Sequence, residues 1–178
     1  MLSKKAIKLR GRLRIWEHGS GRKIFDMDNT LCNEGMESIM NWLSGTGGDY
    51  IDSIILLSDT TAPAVDDTFI SKVRDNILPE CVLHGGDNFT SGSSGLVLSV
   101  TGNLVKEAGN DTTGTPPNNE LHSASLVMGS SESGGLGEVV YSVTGGEKLL
   151  SRIDLGIIVK TSRKSYDFSW DITMEVVT

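Results

Sequence analysis

The amino-acid sequence predicts a mainly β domain, an antiparallel β-sandwich or jelly-roll-like arrangement with one short amphipathic helix near the N-terminus. Three observations carry that prediction. Gly, Ser and Thr make up about a third of the 178 residues, which favours strands joined by many turns over a helical bundle. The last segment alternates without a break, with Tyr166, Phe168, Trp170, Ile172, Met174 and Val176 on one face and Asp167, Ser169, Asp171, Thr173 and Glu175 on the other. That is the pattern of an antiparallel strand with one side in a core. Finally, about eight segments of strand length stand beside a single helical stripe.

Taken in order, Ile7, Leu9, Leu13 and Ile15 alternate with Lys8, Arg10, Arg12 and Arg14, a period of two that predicts a strand with one basic face. His18-Gly19-Ser20-Gly21 reads as a turn into a second strand, so residues 7 to 27 form a hairpin. Met36, Ile39, Met40 and Leu43 then fit a helical stripe, with Glu34 and Glu37 near its start and Gly45 as its C-terminal cap. A stripe of this kind is expected to face the core. Tyr50 to Leu57 is a strand, and residues 59 to 67 are a loop, rich in Asp and Thr and holding Pro63. Leu96 to Val100, Leu121 to Met128, Glu138 to Val143 and Leu149 to Val159 are further strands, with a Gly/Ser turn region at 129 to 137. Residues 102 to 119, punctuated by Gly, Asn and Pro, read as a long exposed loop. The whole chain, 1 to 178, is expected to be one domain, without internal repeats.

Charge is unevenly placed. Residues 1 to 23 form a basic strand or arm holding eight of the 16 Lys and Arg against Glu17 alone, while the net charge of the chain is -7. Like charges along one strand face repel, so the ladder is solvated, neutralised by acidic neighbours or pressed against an acidic partner. Lys8, Arg10, Arg12 and Arg14 are therefore the candidate partner-docking residues. Nucleic acid is disfavoured as that partner, because the rest of the chain is strongly acidic and only Trp16 interrupts the basic run as a stacking residue. No apolar run approaches the roughly 20 residues of a membrane-spanning helix, and no apolar stretch of signal-peptide type follows the charged start.

Residues 24 to 31, Ile-Phe-Asp-Met-Asp-Asn-Thr-Leu, resemble the first motif of haloacid-dehalogenase-type phosphatases, where a strand ends in Asp-x-Asp-x-Thr. Two Asp two apart on a strand point the same way, so Asp26 and Asp28 have the geometry to share a hard cation and perform phosphoryl chemistry. That resemblance requires a parallel sheet with crossover helices and a later Lys and acidic pair, and the short turn-linked strands here do not supply them. A phosphatase is thus a remote alternative. His18, His84 and His122 lie outside any metal-ligand spacing and read as turn or surface residues. Cys32 and Cys81 read as buried reduced thiols of a cytosolically made protein. Ser93-Ser94 and Ser130-Ser131 lack a nucleophile or phosphate-loop context. No catalytic residue, cofactor or metal site is expected.

A second resemblance spans most of the chain through the order of short segments. Gly11-Arg12-Leu13-Arg14-Ile15 opens it, followed by the hairpin ending at Asn29 and by Asn33-Glu34-Gly35-Met36 in a helix ending Trp42-Leu43-Ser44-Gly45. It continues through the strand at 50 to 57 and the loop Asp59-Thr60-Thr61-Ala62-Pro63-Ala64, then Leu149-Leu150-Ser151-Arg152-Ile153 and Phe168-Ser169-Trp170-Asp171-Ile172-Thr173. In that order the chain resembles small structural proteins of tailed bacteriophages of the tail or tail-fibre type, departing from them in a longer section at 79 to 119. The resemblance implies a non-enzymatic virion component, made in the host cytoplasm, present as a homo-oligomer with a trimer as one option, and contacting other tail or capsid proteins. Tail association is the reading preferred here, and capsid decoration as a cement protein is the alternative.

Overall fold

The computed structural model of the chain describes residues 6–46, 51–84, 89–94, 96–129 and 146–177. Among them run nine strands: β1 (Ala6–Glu17), β2 (Arg22–Leu31), β3 (Ile51–Leu57), β4 (Ile77–His84), β5 (Phe89–Ser94), β6 (Val97–Leu104), β7 (Glu120–Met128), β8 (Lys148–Val159) and β9 (Tyr166–Val177). Helix α1 (Asn33–Leu43) follows β2, and a π turn (Phe69–Val73) runs into a 3-10 turn (Arg74–Asn76) before β4. The strands form one sheet in the order β4-β3-β7-β8-β2-β1-β9-β6-β5, and every neighbouring pair is antiparallel. The sheet curls until β4 touches β6 and β3 touches β5, giving a nearly closed, barrel-like wall. The fold is therefore mainly β and antiparallel with one short α-helix, as the composition and alternation predict. The parallel sheet that the phosphatase resemblance requires is not what this chain forms.

The alternating segments become the walls of the core. Leu13 and Ile15 of β1 and Tyr166, Phe168, Trp170 and Ile172 of β9 are buried together with Val100, Leu126 and Leu150 from other strands. The predicted hairpin turn is present, with Gly19 and Gly21 at φ of 79° and 64°, a left-handed conformation that glycine adopts without steric cost. Strands β4 and β5 stand where the sequence pattern predicts no strand. β6 runs on to Leu104 inside the stretch predicted to be an exposed loop, and Gly109 and Asn119 are buried within that stretch. The expected strand at Glu138 to Val143 and the turn region at 130 to 137 lie outside the described residues.

β7 and β8 carry buried residues on both faces. The side away from the main core is covered by the 58–76 segment and α1, which enclose a second cluster of Cys32, Ile55, Leu57, Phe69, Val73, Val127 and Leu149. At its edge Arg152 of β8 is fully buried and donates to Asp59 (2.6 Å), Asp67 (2.9 Å) and the Thr61 carbonyl (2.9 Å). The Glu34 carboxylate accepts from the backbone N–H groups of Phe69 and Leu149, both at 2.8 Å, and so ties the helix to the π turn and to β8.

The helix corrects one expectation. Its buried residues are Gly35 and Ser38, while Met40 and Leu43 of the apolar stripe are 61% and 59% exposed. Gly35 sits so close to β8 that a Cβ there would overlap the Leu150 backbone. Close approach through a small-residue face therefore decides which side docks: Ile39 of the stripe packs against the main core, while Met40 and Leu43 are turned outward.

Candidate functional site

The basic strand is the feature of the sequence that most asks for a partner, and it lies between β9 and β2. β1 pairs with β9 along its whole length, from Ala6↔Val177 to Glu17↔Tyr166. With β2 it pairs only from Gly11↔Asn29 to Glu17↔Arg22. Period two on all three strands brings Arg12 and Arg14 between Asp26 and Asp28 of β2 and Asp171 of β9. Arg12 Nε lies 2.7 Å from Asp26 Oδ1, and Arg14 Nη1 lies 2.6 Å from Asp171 Oδ2. Lys23 Nζ completes the cluster at 2.5 Å from Asp26 Oδ2. Hydrogen bonds from Arg12 and Lys23 hold the Asp26 carboxyl far below the usual carboxylate range, and the same contact with Asp26 raises Arg12.

The ladder is thus neutralised from within at Arg12 and Arg14. Towards the start of β1 it is not. Among the described residues Arg10 pairs only with Glu175, at 3.3 Å with both groups well exposed, and Lys8 makes no ion pair. The reason is topological. After Asn29 the second strand bends away, and Thr30 and Leu31 pair with Arg152 and Ser151 of β8 instead of with β1. The bend opens a groove of about 320 Å³ lined by Lys8, Leu9, Arg10 and Gly11 of β1 and by Asp28, Asn29 and Leu31 of β2.

Asn29 is the pivot of the bend. Its amide donates to the Gly11 carbonyl (2.8 Å) and accepts from Trp170 Nε1, and it lies 2.8 Å from Ser151 Oγ, whose hydroxyl donates to the neighbouring Thr30 carbonyl, so one side chain touches β1, β9 and β8. A Cβ at Gly11 would overlap that amide, which is why the strand carries glycine where its apolar face otherwise continues. The ladder is short here too: β2 and β8 share only two residue pairs, and Met27, opposite buried Leu13, is 55% exposed.

The remaining candidates fall elsewhere. Asp26 and Asp28 do share a face of β2, but the nearest charges to them are Arg12, Arg14 and Lys23. Among the described residues no three His, Cys, Asp or Glu side chains gather as a metal site, and no helix is long and apolar enough to cross a membrane. His18 is in the exposed turn, as expected, 2.8 Å from Asp167. His122 is not a surface residue: it is buried in β7, because that strand is covered on both sides. Cys32 and Cys81 are free and buried, and burial pushes both thiols up to about 12. Sequence reasoning missed two buried cations, Arg152 and Lys160. Lys160 Nζ is capped by the Lys106 carbonyl, Asn110 Oδ1 and the Thr161 carbonyl at 3.0–3.1 Å.

No family model, curated protein or solved structure matches the chain.

Proposed function

We propose that this chain is a non-enzymatic structural component of a tailed-bacteriophage particle, tail-associated at the tail tip, baseplate or fibre attachment, and that it works through contacts with its own copies and with other virion proteins. The phage assignment rests on the order of sequence segments. The reading as a contact protein rests on the surface, and one observation carries it: Met40, Trp42 and Leu43 at the end of α1 are 61%, 68% and 59% exposed. Large apolar side chains grouped on one exposed element mark interaction surfaces. The basic residues Lys8, Arg10, Arg12 and Arg14 are the second docking element of this reading, with Lys8 and Arg10 the more available pair. We read the curled sheet as sandwich-like, its β2-β1-β9-β6-β5 half facing its β8-β7-β3-β4 half across the core.

Mapping the chain on purified particles at low resolution tests the assignment. Density at the tail in a copy number that follows the tail's rotational symmetry is the expected result. A copy number matching the capsomers would replace it with capsid decoration, and absence from particles would remove both. Trp42→Ser with Leu43→Ser is expected to abolish incorporation while leaving the circular dichroism of the isolated protein unchanged.

A further inference from the structure

We propose that the groove beside the first half of β1 seats an extended acidic segment of a partner protein, added as a strand in the place that β2 vacates. The inference rests on reading β1 as a docking strand and does not depend on the particle to which the chain belongs. The molecule itself carries the pattern. Where β2 accompanies β1, it presents Asp26 and Asp28, two residues apart, to Arg12 and Arg14, and its backbone completes the ladder up to Gly11↔Asn29. One repeat further along, Lys8 and Arg10 stand on the same face with the same spacing, and no described strand lies on that edge.

The seat has the parts that strand addition needs: a backbone edge unpaired among the described residues, cations at alternate positions on the outer face, and Leu9 and Leu31 on the groove wall. An occupant with carboxylates at every second residue and apolar side chains between them satisfies all three. The carboxylates meet Lys8 and Arg10 as Asp26 and Asp28 meet Arg12 and Arg14, and the apolar residues cover Leu9 and Leu31. Among the described residues Arg10 has only its exposed 3.3 Å pair with Glu175 to give up, and Lys8 has no ion pair. The charge cost of exchanging partners is accordingly small.

Fluorescence anisotropy with a labelled peptide of alternating valine and aspartate, about ten residues long, tests the seat on the full chain. Saturable binding is expected, weakened about tenfold or more by the double variants Lys8→Glu/Arg10→Glu and Lys8→Gln/Arg10→Gln and by high salt. The same peptide N-methylated at alternate amides is expected not to bind, since it keeps the charge and loses the ladder. Both variants change exposed side chains, and circular dichroism with urea midpoints checks that they fold. No binding, binding unaltered in either variant, or equal binding of the N-methylated peptide overturns the proposal. So does a thymidine oligonucleotide that displaces the peptide with higher affinity, which would make the groove a nucleic-acid site. Sedimentation showing self-association of the parent chain, lost in the double variants, would give the seat to a second copy and likewise overturn it. Particle incorporation is scored separately: a failed phage assignment leaves the peptide result standing, and absent peptide binding overturns the strand seat whatever the particles show.

Discussion

Arg152 ties the segment after β3 to the sheet. Its guanidinium has no exposed surface, and the side chains of Asp59 and Asp67 that it joins are only 10% and 6% exposed. Removing one partner of such a network leaves buried charge without compensation, so Arg152→Ala is expected to lower the unfolding free energy by about 3–5 kcal/mol, measured by urea denaturation. The triple variant Arg152→Met/Asp59→Asn/Asp67→Asn is expected to recover part of that loss, because it removes the charges together with the bridge. The aspartates were legible in the sequence as loop formers. Their partner was not, since a single arginine in a strand reads as an outward polar residue until the segment that covers it is known. The two thiols give a prediction with a definite sign. Cys32 keeps its proton up to about 12 in the folded chain against an ordinary value of 9.0, so between those pH values the unfolded chain releases a proton that the folded one retains. Stability from this group therefore falls as pH rises through that window. Lys160, pushed down by burial, adds a slope of the opposite sign to parent and variant alike. The difference in unfolding free energy between the parent and Cys32→Ala is expected to shrink from pH 9 to 12, and a constant difference would show that the thiol is not protected.

At the scale of the element, α1 separates what a local pattern encodes from what docking adds. Its extent and its end were readable: the helix ends at Leu43, and Gly45, at φ of 74°, donates to the Trp42 carbonyl just beyond it. Its orientation was legible only in part: Ile39 of the apolar stripe packs against the core, but Met40 and Leu43 point outward and the decisive contact belongs to the smallest side chain. Gly35 meets the Leu150 backbone, which cannot rotate aside. Gly35→Ala is thus expected to destabilise the protein by about 1–3 kcal/mol despite the roughly 1 kcal/mol by which alanine favours a helix interior. Met40→Lys on the exposed face is expected to stay within about 0.5 kcal/mol of the parent. Urea midpoints for the two variants check both statements, and a stabilised Gly35→Ala would mean that the helix stands further from β8 than described. The missed strands have physical reasons as well. β4 is a terminal strand of the sheet holding Pro79, and Glu80 at φ of 58°, so its pattern is broken where an edge tolerates it. β5 reads Phe-Thr-Ser-Gly-Ser-Ser, with no apolar alternation to announce it.

For the whole molecule, the alternation in β1 and β9 was enough to specify an antiparallel sheet around a core. Its closure was not legible, because the strand order places β8 beside β2 through a bend at Asn29 that rests on contacts between residues far apart in sequence. That closure bears on cooperativity. The main core draws on β1, β3, β4, β6, β7, β8 and β9, and the second cluster uses Ile55, Leu57, Val127 and Leu149 from the opposite faces of β3, β7 and β8. Lifting the covering segment alone would expose that apolar face and leave Arg152 without its two carboxylates, so the layer has little to gain by opening before the barrel does. The two cysteines report on the two layers, Cys32 in the outer cluster and Cys81 in the main core. Thiol labelling across a urea series is expected to show the same opening free energy for both, coincident with the change in fluorescence of Trp170, which is fully buried. A Cys32 that reacts at urea concentrations where Cys81 and Trp170 are still protected would divide the chain into two folding units, with the outer layer released first.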